Sequence, residues 1–131
     1  MFNKLQEKNP NQNLKIGVVV SIVVIVIITI LEFPPPIGFE TRPQNNVSMF
    51  WLFFFLTIVI TETATIPLIL KIPKLGWKFG ITAGVLNILQ VISDQLHLIQ
   101  PEVAPLEYSL LELSVVIVSF MLIYFSLRVK K

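Results

Sequence analysis

Four long apolar stretches, separated by short segments rich in proline or charge, dominate the pattern of this 131-residue chain. The stretches cover residues 15–33, 48–70, 76–97 and 107–127. A helix of about 20 apolar residues spans the hydrocarbon core of a bilayer and satisfies its own backbone hydrogen bonds there. The pattern therefore predicts an all-α integral membrane protein. We expect a four-helix transmembrane bundle over 15–128, with an N-terminal tail at 1–14 and a C-terminal tail at 129–131.

Prolines and basic residues mark the three connections between these stretches. Three consecutive prolines, at 34–36, stop the first helix, because proline lacks the amide hydrogen that a helix interior needs. The second connection is a short basic turn at 71–78, and the third, at 98–106, contains Pro101 and Pro105. All three connections are short, so we expect neighbouring helices to run antiparallel.

The first apolar stretch has an alternative interpretation as a cleaved signal peptide, because lysines precede it. A signal peptide ends in a site of small residues, and none follows this stretch. It ends instead in Glu32 and Phe33, followed by the three prolines. We therefore expect the first helix to be retained as a membrane span.

The basic residues predict the orientation of the bundle. Nine of the ten lie in the N-terminal tail or at the first residue of the first stretch, in the basic turn, or within the last four residues. Only Arg42 lies in the opposite set of connections. Lysine and arginine are enriched in cytoplasmic segments of membrane proteins. The pattern predicts a multi-pass protein of the cell membrane with both termini in the cytoplasm.

Composition excludes several classes of function. The chain has no cysteine, which excludes disulfides, thiolate catalysis and thiolate metal sites. Its net charge is +2, but the basic residues lie at the ends of the apolar stretches and form no patch. They are explained by membrane topology, and no nucleic-acid partner is expected.

A polar stripe on the third helix is the most informative feature of the sequence. Asn87, Gln90, Asp94 and His97 lie within roughly 80° of one another at 100° per residue, and so share one helix face. A charged side chain at the centre of a membrane helix costs about 2.5–3.5 kcal/mol on insertion scales. Such groups therefore face a protein interior or a wet cavity, and they often mark function.

Helix depth predicts which acids meet this stripe. At about 1.5 Å per residue, the fourth helix brings Glu112 down to the level of Asp94 and His97 in the outer half of the bundle. Tyr108 lies on the same face as Glu112, and Glu32 is placed to reach the rim. On the same scale Glu62 is level with Asn87, and this predicts a hydrogen bond between them.

These positions define a candidate site whose function the residues leave open. The main hypothesis is a pocket that binds a small lipophilic or lipid-like ligand. Whether the protein also transforms this ligand as an enzyme stays open, since a carboxyl beside an imidazole suits acid–base chemistry. A single histidine without a ligand repeat argues against a metal site, so no metal or cofactor is assigned. The candidate ligand-binding residues are Asp94, His97, Glu112, Glu62, Asn87, Gln90 and Tyr108.

Two alternatives from other classes stay open. In the first, the chain is an accessory subunit whose polar groups pair with a larger membrane complex. In the second, it is an oligomeric transporter in which acids and His97 pass protons or cations. Asn87 and Gln90 also have a purely structural interpretation, as hydrogen-bonding groups between helices. The expected partners are the lipid bilayer, a lipophilic ligand, and either further copies of the chain or subunits of a complex.

Overall fold

The computed structural model describes residues 10–43 and 47–130, and these residues form four α-helices. The helices are α1 (Pro10–Leu31), α2 (Met49–Lys71), α3 (Pro73–Gln95) and α4 (Leu106–Lys130). Each contains a stretch long and apolar enough to cross a membrane, with mean hydropathy from 1.3 to 3.0. The predicted all-α class is confirmed. Residues 1–9 of the predicted tail, residues 44–46 of the first connection and Lys131 lie outside the described residues.

The helices extend beyond the apolar stretches. Helix α1 begins at Pro10, so residues 10–14 of the predicted tail are helical. Only Ile72 separates α2 from α3, and Pro73 occupies the first turn of α3. Proline is tolerated in a first helical turn because the amide hydrogen it lacks has no partner there. The basic turn predicted over 71–78 is therefore a single non-helical residue between two helix ends.

The four helices form a ring in which each contacts two neighbours. Helix α4 packs against α3 and α1, α3 packs against α2, and a smaller contact between α1 and α2 closes the ring. Gly76 of α3 lies against Ile69 of α2, and farther along α3 Asn87 meets Glu62, earlier in α2. Residue numbers rise on one helix as they fall on the other, so α2 and α3 are antiparallel.

Small residues allow the closest helix approach. A side-chain carbon at Gly80 would overlap the Ser126 side chain, and one at Gly84 would lie 2.6 Å from Ile123 and 3.0 Å from the carbonyl of Ser119. Ser119 and Ser126 are completely buried. The Gly80–Gly84 pair therefore joins α3 to α4 within the chain, as small residues do between membrane helices.

Apolar and polar interiors lie at opposite ends of the bundle. The apolar core joins the middle of α1 to the end of α2, the middle of α3 and the second half of α4. It includes Val18, Ile22, Ile25, Ile69, Ala83, Leu122 and Val129. At the other end, where residues 32–43, 47–48 and 96–105 lie, four charged groups are buried. They are Glu40, Arg42, Asp94 and Glu112. This polar end holds the candidate site.

Candidate functional site

A buried arginine from the first connection organises the polar end. The Nε of Arg42 donates to Oε1 of Glu40 at 2.9 Å, and Nη2 donates to Oε2 of Glu40 at 2.6 Å. From the other edge of the guanidinium, Nη1 and Nη2 donate to the two carboxylate oxygens of Asp94 at 3.0 and 2.9 Å. Paired hydrogen bonds of this kind fix both orientation and distance. Arg42 thus ties the first connection to the end of α3.

The surroundings of Arg42 keep it charged. Burial lowers the pKa of its guanidinium, but the hydrogen bonds and negative charges of Glu40 and Asp94 outweigh burial and raise the pKa above its ordinary value. The guanidinium carbon also lies 4.8 Å from the centre of the Tyr108 ring, a cation–π distance. Two carboxylates face one guanidinium, so the cluster retains one negative charge.

A cavity of about 340 Å³ lies beside this cluster. All four helices and both connections at this end contribute to its walls. Phe33 and Leu52 are exposed, which places the rim of the cavity near the α1–α2 side, where helix contact is smallest. The lining residues are Thr29, Glu32, Phe33, Pro34, Glu40, Arg42, Val47, Trp51, Leu52, Phe55, Gln90, Asp94, Ile99, Gln100 and Tyr108.

Glu32 is the least satisfied carboxyl in this cavity wall. Its Oε1 atom is buried and has no hydrogen-bond partner among the described residues. Burial, and to a smaller extent the negative charges of Asp94, Glu40 and Glu62, raise the pKa of Glu32 from 4.5 to about 8. At neutral pH this carboxyl is therefore mostly protonated, and it presents a group that can donate or accept a hydrogen bond.

A second polar contact joins α3 to α4 just behind the cavity. The Gln95 amide donates to Oε1 of Glu112 at 2.7 Å and to the Ser109 hydroxyl at 3.2 Å. The carboxyls of Asp94 and Glu112 are close enough to share a hydrogen bond. The predicted approach of Asp94 to Glu112 is therefore present, although only Asp94 lines the cavity.

The predicted contact between Glu62 and Asn87 is also confirmed. The Asn87 amide nitrogen donates to Oε1 of Glu62 at 2.6 Å and to the Ala83 carbonyl at 3.0 Å. Both side chains are buried, and neither lines the cavity. Their geometry matches the structural interpretation of Asn87 as a link between helices.

His97 does not join the cavity lining. Its backbone is left-handed, with φ of 61°, its amide donates to the Asp94 carbonyl, and the amide of Leu98 donates to the Ser93 carbonyl. These two bonds form a Schellman motif, a common way to end a helix. The motif turns the chain away from the helix axis, and the His97 side chain is exposed. The helical extrapolation that placed it beside Asp94 fails because the helix has already ended.

Three of the seven candidate residues line the cavity, namely Gln90, Asp94 and Tyr108. The sequence interpretation missed Arg42 and Glu40, and it placed Glu32 only at the rim. A signal for Arg42 was present, since it is the lone basic residue in connections that otherwise carry acids. An isolated arginine among acids near a bilayer is a candidate for pairing, because unpaired buried charges are costly.

The described residues contain no group of three or more histidine, aspartate or glutamate side chains placed to hold a metal ion. Comparison of the chain with protein-family models, curated proteins and solved structures found no match. The site is therefore interpreted from its own geometry. It combines an ion-paired cluster, a neutral carboxyl and aromatic walls around a small cavity.

Proposed function

We propose that this chain is an integral membrane protein that binds a small amphipathic ligand in the cavity at the polar end of its bundle. The observation that carries the proposal is the composition of that cavity. Trp51, Leu52 and Phe55 supply an apolar wall from α2, while Glu32 and Asp94 supply polar groups. Ligand pockets characteristically combine apolar walls with a few polar groups that set orientation.

Lateral entry from the lipid suits such a ligand. The rim residues Phe33 and Leu52 are exposed, and Leu52 belongs to an apolar helix of membrane-spanning length. A lipophilic molecule dissolved in the bilayer would reach the cavity between α1 and α2 without crossing water. With both termini in the cytoplasm of the cell, as the basic residues favour, the cavity faces the outer half of the cell membrane.

Adjacent positions on α3 provide a matched test of ligand binding. Gln90 lines the cavity, whereas the neighbouring Leu89 is exposed on the outside of the bundle. Gln90→Trp fills the cavity, and Leu89→Trp adds the same side chain to the outer surface. Each protein is purified in mild detergent, and the molecules that stay bound are measured by native mass spectrometry.

The proposal expects a small molecule or lipid to remain bound to the unchanged protein and to Leu89→Trp, and to be lost from Gln90→Trp. Both variants must retain their helical content and monodispersity. Equal retention by the two variants, or no bound molecule in any of the three proteins, would refute ligand binding in this cavity.

A further inference from the structure

More acidic than basic side chains line the cavity, and this imbalance limits the charge that a ligand can carry. Three carboxyls, those of Glu32, Glu40 and Asp94, line the cavity with one guanidinium. All three nitrogens of that guanidinium already donate to Glu40 or Asp94. An anionic ligand would have to displace a carboxylate from Arg42 and would meet the net negative charge of the cluster. The cavity therefore disfavours anions.

Glu32 is the carboxyl of the cavity lining whose hydrogen-bonding capacity is not used within the described residues. Its Oε1 atom is buried and has no hydrogen-bond partner among the described residues, and the residue itself lines the cavity. A buried polar atom without a partner is costly, so a ligand that supplies a donor gains that interaction. An ammonium group supplies both donors and a positive charge, and its hydrogen bonds to a carboxylate are stronger than neutral ones.

Aromatic side chains line the same cavity as this carboxyl. Trp51 and Phe55 of α2 line the cavity with Tyr108 of α4. The ring of Tyr108 already faces one cation, that of Arg42. Ring faces attract cations, and the attraction grows where water is excluded. The cavity therefore offers both an apolar surface for the body of a ligand and aromatic rings for its charged end.

From these contacts we propose that the cavity binds amines that carry an apolar body, with Glu32 as the counter-ion of the ammonium group. This inference rests on the proposed function and adds the chemical class of the ligand. The ammonium group has two sources, the head group of a lipid such as phosphatidylethanolamine or a free hydrophobic amine. Competition between such a lipid and a free amine distinguishes the two sources.

Binding of a cation is expected to release a proton from Glu32. Its pKa of about 8 in the free protein means that the carboxyl must lose a proton to pair with an ammonium group near neutral pH. The affinity for the amine should therefore increase from about pH 6 to about pH 8, and level off above that. The charged and titratable groups around Glu32 are Glu40 and Arg42 of the connection, Glu62 of α2, Asp94 of α3, and Tyr108 and Glu112 of α4.

Three probes with the same apolar body separate charge from hydrophobicity: phenylbutylamine, phenylbutanol and phenylbutanoate. Binding to the full chain is measured by calorimetry in nanodiscs of phosphatidylglycerol, a lipid without an ammonium group. Because this lipid is anionic and attracts the amine itself, the heat of each probe with empty nanodiscs is subtracted. At about pH 9, where Glu32 is mostly ionised, the amine should bind about tenfold more tightly than the alcohol, the scale of one charge-assisted hydrogen bond, and the carboxylate most weakly. At about pH 7 the affinity of the amine should be lower, because Glu32 must first lose its proton. The amine alone should release a proton, which appears as a dependence of the enthalpy on the buffer.

Glu32→Gln should reduce amine affinity to that of the alcohol and abolish proton release, while alcohol binding stays unchanged. Glu107→Gln is the matched control, because Glu107 is exposed and lies outside the cavity lining. This variant should behave as the unchanged protein does. An amine that binds no better than the alcohol, or that is unaffected by Glu32→Gln, would overturn the inference and leave the pocket itself intact.

If none of the three probes binds, both the ligand class and the proposed pocket are refuted. Adding phosphatidylethanolamine to the nanodiscs separates the two sources of ammonium. Competition between this lipid and phenylbutylamine would identify the lipid head group as the source, and the absence of competition would identify a free amine. Competition that persists in Glu32→Gln would contradict the role of Glu32 as counter-ion.

Discussion

The carboxyls inside the bundle differ in their hydrogen-bond partners. Glu40 and Asp94 share the guanidinium of Arg42, whereas Glu62 accepts a hydrogen bond from the Asn87 amide. Glu32 has one buried oxygen without a partner among the described residues. A carboxyl inside a helical bundle therefore cannot be assigned a role from its burial alone. The partner of each one decides whether it stabilises the fold or remains available to a ligand.

Glu62 is expected to be structural. Glu62→Gln keeps an oxygen that accepts from Asn87, whereas Glu62→Leu leaves one donor of that buried amide without its partner. Glu62→Leu should lower the free energy of unfolding by about 1–3 kcal/mol relative to Glu62→Gln. Denaturant titration in detergent, followed by helical circular dichroism, measures the difference. Equal stability of the two variants would show that the hydrogen bond contributes nothing.

Glu32 is expected to make stability depend on pH. The pKa of Glu32 is 4.5 in the unfolded chain and about 8 in the folded protein. Between these two pH values the unfolded chain has therefore released a proton that the folded protein still binds. The contribution of Glu32 to the free energy of unfolding is therefore greatest below pH 4.5, and it falls as the pH rises toward about 8. The melting temperature of the unchanged protein should fall over this range.

The glutamine of Glu32→Gln does not titrate, so this variant should lose less stability than the unchanged protein over the same pH range. The exposed Glu107 is again the matched position, and Glu107→Gln should follow the unchanged protein. Melting temperatures of the three proteins at several pH values test the prediction. A steeper loss of stability in Glu32→Gln than in the unchanged protein would contradict the raised pKa.

At the scale of elements, α3 is the helix that connects the bundle. It packs against α2 and α4, and its residues contribute to the Arg42 cluster and to the Glu62 contact. Its glycines allow α4 to approach closely, while its polar stripe faces inward at Asn87 and Asp94, both 4% exposed. The same helix therefore combines close packing at one end with polar contacts at the other.

The close contact between α3 and α4 predicts a compensating pair of substitutions. Gly80→Ala should destabilise the bundle by up to about 2 kcal/mol. Overpacking against Ser126 costs about 1–3 kcal/mol, and the higher helix propensity of alanine offsets about 1 kcal/mol of this cost. Ser126→Gly removes the obstructing atoms, so the double variant should recover part of the loss. Thermal unfolding of the two single variants and the double variant tests this coupling. Additive effects would exclude direct contact.

At the scale of the whole molecule, the outer surface of the bundle is strongly apolar. Large side chains such as Val20, Leu89, Ile117 and Phe120 are about half exposed. Surfaces of this kind are rare on soluble monomers, and a helical bundle covered by lipid accounts for them. The apolar surface and the four long helices together support the proposed insertion in a membrane.

The proposed orientation can be tested with single cysteines, because the chain has none of its own. Thr41 and Val103 are exposed in the two connections at the polar end, and Lys74 is exposed beside the turn between α2 and α3. Cysteines at Thr41 and Val103 should react with an impermeant reagent in intact cells, while one at Lys74 should react only after lysis. If only Lys74→Cys were labelled in intact cells, the orientation would be the reverse of the one proposed.

Several features of this protein follow from its sequence by itself. Hydropathy and length predict four helices, because backbone hydrogen bonds in an apolar environment favour helices of bilayer length. The regular rise of a helix then aligns Glu62 with Asn87, and Asp94 with Glu112. These predictions succeed because they depend on local periodicity within straight helices.

Only the tertiary structure decided how the connections complete the site. Arg42 and Asp94 are 52 residues apart, and neither helical periodicity nor hydropathy relates a connection to a helix at that distance. His97 is excluded from the cavity lining by a left-handed turn at the end of α3, and extrapolating the helix does not predict this turn. Helix faces follow from neighbouring residues along the chain. The cavity instead depends on contacts between distant segments, whose geometry is set when the connections fold against the bundle.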